Sequence, residues 1–169
     1  SAIDASRAGV IGHSLGDITT LGLQAVEPRL TAAVAAAPIS EQSAPFDQNL
    51  CPVMIQTGDH DGPVAPLPFV NPAVVRPVYE KLTGDRAFIV AEASSHAQWT
   101  NYPLLPTAEW GFEIASTYSI AWMDRYLRHD PAAITVLRSA QPHLSYLWDS
   151  EVRIDEVTTT MRGNGPTLQ

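Results

Sequence analysis

A Gly-His-Ser-Leu-Gly pattern at residues 12–16 constrains the fold more than any other stretch of the chain. An apolar run at residues 8–11 precedes it, and a helix-like run at residues 18–26 follows it. Gly-x-Ser-x-Gly between a strand and a helix is typical of a sharp turn that holds the serine hydroxyl at the carboxyl edge of a sheet. The pattern therefore predicts that Ser14 is a nucleophile and that the N–H group of Leu15 points to where an oxyanion would form.

Three further apolar runs have the length of buried strands, and helical patterns separate or follow them. The strands are predicted at residues 30–37, 53–57 and 86–91, and the helices at residues 72–82 and 107–128. Residues 152–157 partly alternate between apolar and polar, which is compatible with an extra strand. Strands that alternate with helices predict an α/β fold with a mostly parallel sheet and crossover helices. In such sheets the chemistry lies beyond the carboxyl ends of the strands.

The bulk properties of the chain argue against several classes of partner. Its 169 residues are enough for one domain with a sizeable core, and 45% of them are apolar. A net charge of -8 argues against nucleic acid or an anionic membrane as a partner, and no apolar run has transmembrane length. The single cysteine, Cys51, excludes a disulfide within the chain. Because no metal-ligand spacing and no glycine-rich phosphate loop is found, we expect neither a metal nor a cofactor.

A nucleophilic serine needs a base within reach, and the base needs a carboxylate that fixes its tautomer. Two aspartates, Asp59 and Asp61, follow the predicted strand at residues 53–57 and compete for the acid role. Among the five histidines, His96 follows a predicted strand and a loop of small residues, which suits a base that must reach the serine. The order along the chain is then serine, acid, histidine.

With these residues in this order, the sequence resembles the α/β-hydrolase family. Within it, the chain is similar to the dienelactone hydrolase and platelet-activating-factor acetylhydrolase group, which also contains bacterial cutinase-like polyester hydrolases. The resemblance runs from residue 8 to about residue 137. It is carried by Val-Ile-Gly-His-Ser-Leu-Gly at residues 10–16, Leu-Thr-Ala-Ala-Val-Ala-Ala-Ala-Pro at 30–38, Pro-Val-Met-Ile-Gln-Thr-Gly-Asp-His-Asp at 52–61, Ser-His at 95–96 and Ile-Ala-Trp-Met-Asp-Arg-Tyr-Leu at 120–127.

The resemblance implies hydrolysis of a small-molecule or polymeric carboxylic ester through an acyl-enzyme, without a cofactor. Ser14 would attack the carbonyl, His96 would take the serine proton and return it to the leaving group, and Asp61 would orient His96. In acid loops of this fold the second acid usually orients the histidine. Asp61 is therefore favoured for that role, and Asp59 is expected to shape the loop.

Two features depart from the family pattern. Asp17 stands where the family often has glycine, and it brings a carboxylate close to the forming oxyanion. Ser14 lies near the beginning of the sequence, whereas the nucleophile normally lies near the middle of such a domain. Residues 1–169 are therefore expected to form the C-terminal half of a single hydrolase domain, with a less certain tail from about residue 139. An N-terminal hydrolase portion, as a separate chain or as a cleaved or truncated piece, would complete the domain.

Other functions and the details of the substrate stay open at this point. One alternative is a hydrolase-like half without activity that serves as a binding or assembly module, and an amidase would use the same triad. An amidase with Ser1 as an N-terminal nucleophile is a further alternative, although the strand pattern does not match that fold. His13, Trp99 and the proline-rich residues 63–71 are expected to line a pocket for an apolar or aromatic acyl group. The cellular compartment is not specified by the sequence.

Overall fold

A six-stranded sheet runs through the part of the protein that the computed structural model describes, residues 4–38, 46–61, 72–100 and 108–165. The strand order is β1-β2-β3-β4-β5-β6; β1 to β4 are parallel, and β5 and β6 add to β4 in antiparallel pairs. The strands are β1 (Ala8–His13), β2 (Leu30–Ala36), β3 (Val53–Gly58), β4 (Arg86–Ala91), β5 (Ser150–Ile154) and β6 (Val157–Met161). The predicted α/β fold with a mostly parallel sheet is confirmed.

Helices cover both faces of this sheet. Within the described ranges they are α1 (Leu15–Gln24), α2 (Pro72–Lys81), α3 (Gly111–Leu127) and α4 (Ala133–Leu137). Apolar side chains of α1 and α2 pack against one face, and those of α3 and α4 pack against the other. Along β2 the side chains alternate, so that Ala33 belongs to the first cluster and Ala32 and Val34 to the second. Burial on both faces explains why the parallel strands are continuous apolar runs in the sequence.

Helix α3 starts later than the sequence pattern predicts. The pattern places its cap at Thr107, which lies outside the described residues, and the helix begins at Gly111. The side chain of Gln98 binds both backbone groups of Ala108, accepting from its N–H at 2.8 Å and donating to its carbonyl at 2.7 Å. Ala108 thus binds a side chain of another element, and the regular helix starts three residues later. The predicted apolar stripe is otherwise present, since Ile114, Tyr118 and Trp122 are all buried.

The sequence pattern is compatible with an extra strand at residues 152–157, and the structure has two strands in this region, β5 and β6, with a turn at residues 155–156 between them. Asp155 and Glu156 have φ angles of 51° and 65° and make a tight turn between β5 and β6. A left-handed backbone at both turn residues matches the twist of a two-residue hairpin. The hairpin pairs with β4 through contacts such as Val152 with Ala87, so the two strands at residues 150–154 and 157–161 belong to the same sheet.

The strand register brings the segments that carry chemistry to one edge of the sheet. His13 pairs with Ala36, Ala36 with Gln56, and Gln56 with Ile89, so the four parallel strands β1 to β4 end at the same edge. The predicted pocket-lining stretch at residues 63–71 lies outside the described residues. No helix in the described ranges combines the length and apolar character that crossing a membrane requires.

Candidate active site

Ser14 lies in the sharp turn between β1 and α1. Its φ of 57° and ψ of -114° form a conformation that costs a residue with a side chain on the order of 1–3 kcal/mol. The Ser14 N–H donates to the carbonyl of Ala36 at the end of β2, at 3.0 Å, which fixes the turn to the sheet. Gly12 leaves no room for a side chain, because a Cβ there would overlap the backbone carbonyl of Gly16. The close approach of strand and helix thus requires glycine at position 12.

The structure brings Ser14, His96 and Asp61 into one hydrogen-bonded chain. His96 Nε2 lies 2.8 Å from Ser14 Oγ, and His96 Nδ1 lies 2.9 Å from Asp61 Oδ1. A carboxylate oxygen accepts, so Nδ1 carries the proton that it donates to Asp61. Nε2 then presents a lone pair to the serine hydroxyl, which is the arrangement that allows proton removal during nucleophilic attack.

Asp61 is held in place by two bonds besides the one from His96. Thr57 Oγ1 donates to Asp61 Oδ2 at 3.2 Å, and the Asp61 N–H donates to the Gly58 carbonyl at 3.2 Å. Asp61 and Thr57 are fully buried, so the carboxylate is shielded from water. The sequence analysis did not identify Thr57, because a threonine near the end of a strand has no pattern that distinguishes it from an ordinary strand residue.

Asp59, the other candidate acid, binds different partners. Its Oδ1 lies 2.6 Å from Nδ1 of His60, and its Oδ2 accepts from Ser145 Oγ at 2.8 Å. The Ser145 N–H donates in turn to the carbonyl of Val90 in β4. Asp59 therefore ties its loop to the segment before β5, and the structure gives it no bond to His96 among the described residues.

Leu15, the predicted oxyanion donor, is the first residue of α1. The first N–H groups of a helix lack acceptors within the helix and carry its positive dipole end. Leu15 itself is 75% exposed. The position suits a group that would bind developing negative charge on a carbonyl oxygen.

Asp17 lies in the first turn of α1 and is fully buried. Within the described residues, neither of its carboxyl oxygens has a hydrogen-bond partner. Burial, together with the nearby charge of Asp61, raises the pKa of Asp17 to about 8. Asp17 is therefore mostly protonated at pH 7 and adds little negative charge beside the oxyanion position, contrary to the expectation from the sequence.

His13 and Trp99, the predicted pocket residues, lie together beside His96. The His13 and His96 rings are 4.9 Å apart between centroids, and the His13 and Trp99 rings are 6.2 Å apart with 22° between their planes. Their polar atoms bind protein groups: His13 Nε2 lies 2.8 Å from the His96 carbonyl oxygen, and Trp99 Nε1 donates to Gln56 Oε1 at 2.9 Å. The sequence analysis did not identify Gln56.

The described residues contain no group of three or more His, Cys, Asp or Glu side chains that would hold a metal ion. Cys51 is buried, and burial raises the pKa of its thiol to about 11. It is thus not a thiolate at neutral pH. Among the described residues, the hydrogen-bonded chain from Ser14 through His96 to Asp61 is the arrangement best suited to nucleophilic catalysis.

Comparison with known proteins finds one matching family model and several similar cutinases. A family model described as PETase, PET hydrolase-like, matches residues 1–151. Cutinase 1 of Thermobifida cellulosilytica is 29% identical over 132 residues, which cover 77% of this chain and 45% of that protein. Cutinase 2 of the same organism is 30% identical over 132 residues, 77% of this chain and 45% of that protein. A cutinase of Thermobifida fusca (strain YX) is 29% identical over 132 residues, 77% of this chain and 39% of that protein.

The matched segment thus spans less than half the length of each of these curated relatives. The family model, in contrast, covers most of this chain, and the mixed sheet with helices on both faces agrees with it. The resemblance to cutinase-like polyester hydrolases that the sequence motifs indicate is confirmed. The chain belongs to the PET hydrolase-like family of α/β hydrolases.

Proposed function

We propose that this chain is the catalytic C-terminal part of a serine hydrolase that cleaves carboxylic esters through an acyl-enzyme. The observation that carries the proposal is that His96 makes two bonds at once, from Ser14 Oγ to its Nε2 at 2.8 Å and from its Nδ1 to Asp61 at 2.9 Å. The curated relatives named as cutinases support an ester as the substrate class.

In the first half of the proposed reaction, Ser14 Oγ attacks the ester carbonyl while its proton moves to His96 Nε2. The Leu15 N–H stabilises the oxyanion of the tetrahedral intermediate. When the intermediate collapses, His96 gives the proton to the leaving alcohol, and the acyl group remains on Ser14. Asp61 stays ionised and stabilises the imidazolium that forms in between.

In the second half, water attacks the acyl-serine and His96 Nε2 takes its proton. Collapse of the second tetrahedral intermediate releases the carboxylic acid and returns the proton from His96 to Ser14 Oγ. The water supplies the hydroxyl of the acid, so no cofactor and no metal enters the scheme. His13 and Trp99 are proposed to contact the acyl or alcohol part of the ester through their ring faces.

We also propose that an N-terminal portion adjoins β1 and completes the sheet. Within the described residues β1 pairs on one side, with β2, and Ile11 at its centre is 56% exposed. An open strand edge with an apolar side chain is a site for strand pairing. The length of the curated relatives beyond the matched segment supports this proposal, and the second oxyanion N–H group would come from that portion.

A hydrolysis assay tests the proposed activity. The full-length protein is expected to release nitrophenol from short-chain p-nitrophenyl esters, and Ser14→Ala is expected to abolish turnover above the rate of the uncatalysed reaction. An anilide with the same acyl group, measured in parallel, separates an esterase from an amidase. Turnover that survives Ser14→Ala, or a folded wild-type protein without turnover, would reject the proposal in favour of a binding or assembly module.

A further inference from the structure

His96 is the first residue of a short 3₁₀ turn, His96–Trp99, which follows a four-residue loop after β4. A 3₁₀ turn of this length has few internal hydrogen bonds, and their geometry is poorer than in an α-helix. The imidazole of His96 must nevertheless keep two bonds at once, to Ser14 and to Asp61. The turn therefore depends on contacts from the rest of the molecule.

The first contact is at the beginning of the turn, where the side chain of His13 reaches the backbone of His96. His13 Nε2 lies 2.8 Å from the His96 carbonyl oxygen. A carbonyl oxygen only accepts, so Nε2 of His13 carries the hydrogen and donates it. Burial lowers the pKa of His13, which favours the neutral ring with one donating nitrogen. This bond connects the end of β1, next to Ser14, directly to the residue that carries the proposed base.

The second contact is at the end of the turn, where Trp99 binds Gln56 of β3. Trp99 Nε1 donates to Gln56 Oε1 at 2.9 Å. The Gln56 amide nitrogen donates to the Ala115 carbonyl at 3.1 Å and to Ser119 Oγ at 3.0 Å, both on α3. These two acceptors fix the orientation of the amide, so its oxygen faces the indole. Gln56 is buried, so its side chain is not positioned to contact a substrate.

We propose that His13 and Gln56 are positioning residues that hold the turn His96–Trp99 at both ends and so keep the His96 imidazole between Ser14 and Asp61. The two side chains come from different strands of one sheet, β1 and β3, and each binds the turn through one directional hydrogen bond. A displacement of about 1 Å at a reacting group can reduce the rate about a hundredfold. Loss of either bond would let the imidazole shift, so we expect each loss to lower the reaction rate. This inference rests on the proposed function, because it concerns the geometry of the same triad.

Gln56→Met and His13→Phe are the main test variants in the full-length protein. Methionine has nearly the length of glutamine without the amide, and phenylalanine keeps an aromatic ring without the donor. Trp99→Phe removes the indole donor and leaves Gln56 in place. It tests the same hydrogen bond if Gln56→Met fails to fold. The matched control is Tyr118→Phe on α3, which removes the bond of 2.8 Å from the buried Tyr118 side chain to the Ser139 carbonyl, beyond the end of α4.

The readouts are kcat and KM for p-nitrophenyl acetate and butyrate, the rate of labelling by a fluorophosphonate, and the midpoint of thermal unfolding. Gln56→Met and His13→Phe are each expected to lower kcat and the labelling rate about tenfold or more, with KM within about twofold for both esters. Tyr118→Phe is expected to shift the unfolding midpoint by a similar amount and to keep the wild-type kcat. A loss of kcat at an unfolding midpoint that equals that of the control cannot come from reduced stability alone.

Two results would overturn the inference and leave the proposed function intact. Variants with wild-type kcat and labelling rate would show that the two bonds do not position His96. A change confined to KM, and dependent on acyl length, would assign His13 and Trp99 to substrate contact alone. If Ser14→Ala keeps the wild-type turnover, the proposed function fails, and the inference fails with it.

Discussion

At the scale of single residues, the cost of the turn at Ser14 is offset by specific contacts. The positive φ of Ser14 is maintained by the bond to Ala36 and by the close packing of Gly12 against Gly16. The strain serves the proposed chemistry, because it directs the hydroxyl away from the sheet and towards His96. Asp17, three residues further on, is a second unfavourable feature, since it is a buried carboxyl group without a partner among the described residues.

Asp17→Asn is expected to stabilise the full-length protein at alkaline pH. Because the folded pKa of about 8 exceeds the ordinary value of 3.8, the wild type loses stability as the pH rises between these values. Asparagine cannot ionise and removes this dependence. We expect the gain in unfolding free energy over wild type to be larger at pH 9 than at pH 5 by about 2–4 kcal/mol, measured by urea unfolding. An equal gain at both pH values would show that Asp17 is already ionised in the folded protein at pH 5.

The sequence predicted the residues that a motif marks and missed those that only the folded chain brings together. Ser14 was identifiable because the elbow has a local pattern, and Asp61 and His96 because each follows a recognisable strand in the order that the fold requires. Their catalytic roles stay a prediction, although the structure brings the three side chains together. Thr57 and Gln56 lie inside β3 and act through partners 4 and 43 residues away, which a local pattern cannot reveal.

At the scale of secondary-structure elements, the strands were easier to predict than the ends of helices. Parallel strands buried on both faces are continuous apolar runs, so β2, β3 and β4 were found within about two residues. The start of α3 differs from the pattern at Ala108, whose backbone binds Gln98, a residue from another element that a local pattern does not reveal. The β5–β6 hairpin was missed because its turn, Asp155-Glu156, contains no glycine or asparagine.

A partly buried ion pair attaches the antiparallel hairpin to α2. Glu151 of β5 accepts from the Tyr79 hydroxyl at 2.5 Å and from Arg76 Nη2 at 2.8 Å. The side chain of Glu151 is 19% exposed, whereas Glu80, the other carboxylate that pairs with Arg76, is 63% exposed. Burial opposes ionisation of Glu151, but the bonds from Tyr79 and Arg76 outweigh it and lower its pKa. Glu151 and Glu80 both pair with Arg76 and differ in burial, so replacing each in turn tests what burial contributes to the ion pair.

Glu151→Gln is expected to destabilise the protein at pH 7 by about 1–3 kcal/mol, because charged hydrogen bonds become neutral ones in a mostly buried site. Glu80→Gln is expected to change the unfolding free energy by less than about 0.5 kcal/mol. Since the folded pKa of Glu151 is lowered, its contribution is present above the ordinary value of 4.5 and is lost as the pH falls below it. Urea unfolding at pH 7 and pH 3.5 measures both effects; equal losses for the two variants at pH 7 would argue against the attachment.

At the scale of the whole molecule, the two edges of the sheet differ. One edge strand is β6, a short hairpin strand with polar side chains such as Thr158 and Thr160. The β1 edge is apolar at Ile11 and lies beside the nucleophile turn. An N-terminal portion paired with β1 would cover this edge and would bring a second oxyanion donor close to Ser14. The prediction of a C-terminal half was made from the position of the elbow along the chain, and it stays a proposal.

Ile11→Asp is expected to destabilise the full-length protein by about 2–4 kcal/mol, because strand pairing at β1 would bury the new carboxylate without a partner. Val157→Asp on β6, at the opposite edge, is the control, since Val157 is similarly exposed at 52%. It is expected to cost less than about 0.5 kcal/mol. Thermal and urea unfolding compare the two variants. If both have the stability of the wild type, the β1 edge faces solvent in the complete protein.

The measurement that tests the central claim most directly is covalent labelling of the full-length protein with a fluorophosphonate, followed by mass-spectrometric mapping of the modified residue. The probe phosphonylates a serine whose hydroxyl is activated by a neighbouring base and loses fluoride in the process. We expect one label, on Ser14, and strong suppression of labelling in His96→Gln and Asp61→Asn. An unmodified Ser14 in folded wild-type protein, or a label on a different residue, would contradict the assignment of Ser14, His96 and Asp61 as a catalytic triad.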